Sequence, residues 1–171
     1  MKPYILGVFN AAVLSAAMLR SAEVAEDFSF EQLRKAFPDF SSDEIKELRT
    51  EADRGNAEAQ LKLGATYWVG KGVDQNTREG VRWWRKAAEQ GDANAQFMLG
   101  MAYLTGVGII ADAREGYIWL TIANVNGEEA AIGALQSPRI DFGLFRVDKS
   151  SAKKEAAKRM EEIDRRKEQS E

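Results

Sequence analysis

One block of this sequence occurs twice. Gly55-Asn56-Ala57-Glu58-Ala59-Gln60 is followed by Leu63-Gly64, Tyr67 and Gly70-Lys71-Gly72-Val73. The same signs return as Gly91-Asp92-Ala93-Asn94-Ala95-Gln96, Leu99-Gly100, Tyr103 and Gly106-Val107-Gly108-Ile109, and Trp83 maps onto Trp119. A fixed period in the mid-thirties marks a helical repeat array, whose units bury their apolar faces by stacking on one another. Such arrays mostly hold other molecules rather than transform them.

Each copy divides into two helices. The first is expected over about 57–68 and again over 93–104. Gly64 and Gly100 fall inside it, where glycine costs ~1 kcal/mol relative to alanine. Recurrence at one place in both copies points to a packing reason, as do the small residues Ala59 and Ala95. The Gly70-x-Gly72 and Gly106-x-Gly108 turns follow, where positive φ is expected. Asn76 and Asp112 then stand as N-caps of the second helices, with Glu79 and Glu115 at the third helical position. Trp83, Ala87 and Ala88 are expected to face inward, matched by Trp119, Ala123 and Asn124, and the helices stop at Gly91 and Gly127. Upstream, residues 26–40 carry a short helical pattern ended by Pro38. Ser41 and Glu44 have capping-box spacing before the stripe Ile45, Leu48, Ala52. Downstream, a third copy starts at Gly127, keeps register at Ala131 and Leu135, and breaks at Ser137-Pro138. A last helix opens near 148–151 with the narrow stripe Ala152, Ala156, Met160, Ile163. It is expected to pack weakly and to fray beyond Ile163.

The chain length fits one domain. It is divided here into 1–25, a signal peptide or N-terminal anchor; 26–54, N-terminal capping helices; 55–137, the repeats; and 138–171, an apolar loop and a charged helix. Lys2 followed by the apolar run Tyr4–Leu19 suits a signal-peptide core and is short of the ~20 apolar residues of a spanning helix. Export to a bacterial periplasm or beyond is the expectation. The alternatives are an uncleaved membrane anchor and an apolar helix packed on the repeats.

The sequence holds no cysteine and no histidine. Thiolate nucleophiles, Cys/His zinc sites and imidazole general bases are therefore unavailable. Neither a cofactor nor a metal is expected. With 24 basic against 27 acidic residues there is no basic face for nucleic acid. The stretch 149–167 interleaves both signs and fits a solvated helix face.

These residues resemble the Sel-1-like repeat family, relatives of the tetratricopeptide repeats. The match runs from Ala52 to Ala87 and from Ala88 to Ala123, and departs from the family where Gly80 and Gly116 replace an alanine and Asn76 replaces an aspartate. The resemblance implies an all-α fold: a right-handed α/α solenoid of short helix-turn-helix repeats with N- and C-terminal capping helices. It implies a non-enzymatic module of the bacterial cell envelope that binds a protein or peptide on its concave face. No family-wide catalytic residue carries over.

Two candidate binding features stand beside this. Lys62, Ala65 and Thr66 align with Met98, Met101 and Ala102, positions where the copies differ. Such positions tend to face the groove in this fold, and Met98 and Met101 would make a soft apolar patch there. The alternative is burial against a neighbouring helix. The second feature is Pro138–Asp148, where Ile140, Phe142, Leu144, Phe145 and Val147 form either a lid on the last apolar layer or a partner-binding loop. Ser150-Ser151-Ala152-Lys153-Lys154 contains S-x-x-K twice, the acyl-enzyme motif of β-lactam-recognising proteins. Some secreted relatives of the repeat family have been connected with β-lactam binding, so a cell-wall or β-lactam-binding protein with weak hydrolase activity is the alternative function. The companion motifs S-D-N and K-T-G are absent, and serine at a helix start is an ordinary N-cap. The Gly-x-Gly turns lack the Lys-Ser/Thr of a phosphate loop. Of the tryptophans, Trp83 and Trp119 occupy the repeat's core position, while Trp68 and Trp84 are open to either packing or carbohydrate stacking.

Overall fold

The computed structural model describes residues 40–136 and 147–169. Among them, seven helices follow one another: α1 (Ser42–Asp53), α2 (Ala57–Val69), α3 (Thr77–Glu89), α4 (Ala93–Thr105), α5 (Ala113–Val125), α6 (Ala130–Leu135) and α7 (Lys149–Glu168). The helical pairs are α2 with α3 and α4 with α5, and each pair packs on its neighbours. The expected pattern 26–40 lies outside the described residues except for Phe40, as do 1–25 and 137–146.

The helix ends follow from local chemistry. Ser41 caps α1 in a complete capping box: its side chain accepts from the Glu44 amide, and the Glu44 carboxylate accepts from the Ser41 amide at 2.8 Å. That amide bond, together with one the Ser41 hydroxyl donates to the same carboxylate, holds the Glu44 carboxyl below its ordinary pKa. Asn56, Asn76 and Asp92 cap α2, α3 and α4 through the amide three residues on. Asp112 caps α5 through the amides of Arg114 and Glu115. Gly70 and Gly106 end α2 and α4 with φ of 75° and 73°, a conformation that costs an L-residue ~1–2 kcal/mol.

The recurrent glycines sit where the two helices of a pair cross. A Cβ on Gly64 would lie 2.5 Å from Trp84 Nε1 and 3.0 Å from the Gly80 carbonyl. A Cβ on Gly80 would lie 2.7 Å from the Gly64 carbonyl. The second pair repeats the device, with Gly100 against Leu120 and Gly116 against Leu104 and the Gly100 carbonyl. The alanine-to-glycine departure from the family pattern thus belongs to a glycine-on-glycine crossing.

A buried polar rung joins successive pairs. Gln60 donates to the Ala52 carbonyl at 3.0 Å, and Gln96 to the Ala88 carbonyl at 3.1 Å. Gln60 Oε1 accepts from Gln90 at 2.7 Å, and Gln96 Oε1 accepts from Asn126 at 2.9 Å. Both glutamines are buried, and a buried amide is stable only when so satisfied. The Gln of each copy therefore ties its first helix to the helix that precedes it.

The core runs continuously through Trp68, Trp84, Phe97, Met98, Leu99, Ile118, Trp119, Leu120 and Ile122 to Ala152, Ala156 and Ile163 on α7. Trp84, fully buried, donates to the Leu61 carbonyl at 3.2 Å. All four tryptophans are buried, which settles Trp68 and Trp84 as packing residues. Two expectations are corrected. Asn124 is exposed, because the inward position after Ala123 is not continued on α5. α7 runs on beyond Ile163 to Glu168, held where its end passes over the α3–α4 turn: Lys167 and Ile163 lie against Gly91.

Candidate interaction surface

α7 meets the repeats through charge as well as through its alanines. Arg159 makes a two-pronged pair with Glu115, at 2.8 and 3.2 Å, and lies 3.6 Å from Glu155 on its own helix. Its guanidinium sits 5.2 Å from the centre of the Trp119 ring. Glu115 and Trp119 are one turn apart on α5, so one face offers an anion and a π-surface together. Both partners of the pair are about a quarter exposed, and a forked guanidinium–carboxylate pair is geometrically selective. The Glu115 hydrogen bonds hold Arg159 still more firmly protonated.

Beside this contact lies a cleft of about 230 Å³ lined by Arg85, Glu89, Tyr103, Trp119, Glu162 and Arg166. Arg85 donates to the Tyr103 hydroxyl at 2.9 Å and lies 5.8 Å from that ring's centre. The cleft thus has a braced arginine on α3, an aromatic floor from α4 and α5, and α7 as its far wall. Counting Glu115 and Arg159, three acidic residues and three arginines face it, a polar lining. Among the described residues no cluster of His, Cys, Asp or Glu could hold a metal, and no helix is long and apolar enough to cross a membrane.

The residues singled out in the sequence do not gather here. Met98 is completely enclosed and Met101 is 4% exposed; both belong to the core. Of the two alternatives for them, burial is what the fold shows, because α4 is apolar around its whole circumference and covered on all sides. Thr66 is buried too, its hydroxyl donating to the Lys62 carbonyl of its own helix. Lys62 keeps a partly exposed side chain and pairs with Glu58 at 2.6 Å. Ile140, Phe142 and Phe145 lie outside the described residues, while Val147, at the edge of that segment, packs on the core. Ser150, Ser151, Lys153 and Lys154 are exposed on the first turns of α7, where the Ser150 and Ser151 amides donate to Asp148. An exposed first turn lacks the enclosure that an acyl-enzyme site uses to exclude water.

Arg85 and Arg159 went unremarked in the sequence, and Tyr103 and Glu115 stood there only as a repeat sign and a helix-start residue. A signal existed: Arg49, Tyr67 and Glu79 recur as Arg85, Tyr103 and Glu115, and polar residues that recur with the core have a structural partner.

A model of the Sel1 repeat matches residues 57–92 and 93–124. Among solved structures, the chain is similar to a Sel1 repeat protein from Oxalobacter formigenes: 27% identity, TM-score 0.56, 82% of this chain and 53% of that one. It also shares the fold of a protective antigen of uropathogenic Escherichia coli strains displaying an SLR fold, at 24% identity and TM-score 0.51, over 91% of this chain and 28% of that one. The chain therefore spans about half the length of the first neighbour and about a quarter of the second. No curated protein matches it.

Proposed function

Because this chain carries two Sel1 repeats on an all-helical solenoid, we propose that it is a non-catalytic adaptor of the bacterial cell envelope that binds a segment of another protein. Sel1 repeats are generally protein–protein interaction modules. The finer reading is carried by one observation. The repeat's apolar and amide positions are spent on the core and the inter-repeat rungs, while the cleft between α3 and α7 keeps a braced Arg85 beside Tyr103 and Trp119. Arginine and aromatic residues are the groups that dominate protein recognition. Binding here uses the cleft beside α7 in place of a methionine-lined groove. The envelope location rests on the apolar run Tyr4–Leu19 after Lys2.

The test is affinity capture from the native envelope with the full chain and with an Arg85→Glu/Arg166→Glu variant of unchanged circular dichroism. A partner held by the first and lost by the second supports the reading. A partner held equally by both removes the cleft from it. Fractionation with intact-mass measurement tests the location: a mature chain shortened within residues 15–25 in the periplasm is the expected result, and a full-length cytoplasmic chain refutes it.

A further inference from the structure

The surface that receives α7 exists twice. Around Trp119 it consists of Arg85, Glu89, Tyr103, Glu115 and Trp119; one repeat earlier stand Arg49, Asp53, Tyr67, Glu79 and Trp83. The geometry recurs with the residues. Arg49 donates to the Tyr67 hydroxyl as Arg85 does to Tyr103, and their guanidiniums lie 5.7 and 5.8 Å from the two ring centres. Glu79 precedes Trp83 by one turn of α3, as Glu115 precedes Trp119 on α5. Among the described helices, α7 packs on α5, and none covers α3 in that way. Arg82, on that face of α3, has 69% of its side chain exposed.

We propose that the Trp83 set is a second helix-docking site, whose partner is an amphipathic helix presenting an arginine in the manner of α7. The fold itself shows the ligand chemistry: a guanidinium forked on the glutamate, its plane near the tryptophan ring, and small residues three and seven positions earlier, as with Ala156 and Ala152 before Arg159. Two observations at the Trp83 set agree with a cationic guest. The Trp83 ring already carries a cation, with Lys86 Nζ 3.8 Å from its centre. Glu79 already binds a guanidinium, that of Arg82 at 2.8 Å. Both cations, Arg82 and Lys86, are side chains of α3 itself, and their counterparts on α5 are the buried Ile118 and Ile122. The Arg82–Glu79 pair, one turn apart with Arg82 largely exposed, is weak, so an incoming arginine displaces it at little cost.

This inference rests on the binding-module reading but is tested without any cellular partner, so the two fail separately. The probe is a synthetic peptide of sequence 149–168, added to the full ¹⁵N-labelled chain while the indole N–H signals are followed. The expected result is a titrating shift of the Trp83 signal with Trp119 unmoved. Binding should weaken at least tenfold in Glu79→Lys and tighten severalfold in Arg82→Ala/Lys86→Ala, a gain that loss of structure could not produce. A Trp83 shift that grows with protein concentration alone would identify α7 of a second copy as such a helix. Movement of Trp119 in place of Trp83 would overturn the proposal, since the peptide would then be replacing α7. No Trp83 shift at millimolar peptide in the Arg82→Ala/Lys86→Ala chain would also overturn it, leaving the set self-satisfied.

Discussion

Replacing Gly64 by alanine sets two opposed effects against each other at one atom. Alanine is favoured over glycine inside a helix by ~1 kcal/mol. The added Cβ, however, would stand 2.5 Å from Trp84 Nε1 and 3.0 Å from the Gly80 carbonyl, against an ordinary contact of about 3.5–4.0 Å. α2 and α3 must therefore separate by about 1 Å, or the indole must turn. Trp84 cannot turn freely: it is fully buried and bonded to the Leu61 carbonyl. Overpacking of this kind costs about 1–3 kcal/mol and occasionally more, and losing the indole bond adds about 1. Subtracting the helical gain leaves a net loss of roughly 1–3 kcal/mol. For a chain of this size that is a fall in melting temperature of roughly 3–10 °C. Thermal and urea unfolding followed by circular dichroism measure it. Shrinking the colliding ring in Trp84→Phe should make the pair non-additive, the double variant losing about 1 kcal/mol less than the sum. A Gly64→Ala chain as stable as the parent, or more so, would refute the close crossing.

Arg159→Ala should loosen α7, lowering stability by about 1–2 kcal/mol through loss of a partly buried forked pair and raising amide exchange over 152–168 before the rest of the chain. Asp92 supplies a pH test. Burial raises its carboxyl pKa, against the amides of Ala95 and Asn94 and the Lys167 charge, which lower it. The folded state therefore holds this proton more tightly than the unfolded chain. Its contribution is present in acid and is lost as pH rises through the raised folded value. Asp92→Asn keeps the cap, as Asn56 does one repeat earlier, so its urea midpoint relative to the parent should improve from pH 4 to pH 7; an unchanged difference contradicts this. Ser41→Ala should cost about 1 kcal/mol and speed exchange in the first turn of α1. Fluorescent penicillin should not label the folded chain, and covalent labelling abolished by Ser150→Ala/Ser151→Ala would revive the acyl-enzyme alternative.

Helix positions, caps and turns were legible because they depend on neighbours in sequence. Ser41, Asn76 and Asp112 cap where their spacing placed them, and the turn glycines adopt positive φ. The recurrent Gly64 signalled a close contact, though its partner Gly80 had to be seen, and the contact of the equally recurrent Gln60 with Ala52 was not read at all. Met98 and Met101 failed as groove residues because variation between repeats has two causes. Lys62 varies at a partly open position, whereas Met98 varies because α4 is enclosed between α3 and α5. The apolar run Phe97, Met98, Leu99, Met101, Ala102, Leu104 carried that message. α7 resisted reading for another reason. Its apolar stripe is narrow, and its docking depends on Arg159 reaching Glu115, a pair 44 residues apart that no local pattern announces.

The proposed role sets another protein against the cleft beside α7. Photo-crosslinking in the native cell tests it most directly, with a photoreactive amino acid at position 85 or 166 and, as control, at exposed position 47 on α1. The expected result is a discrete protein adduct from 85 and 166 and none from 47. The same adduct from all three positions, or no adduct from any while the folded chain turns over a defined substrate, would contradict it.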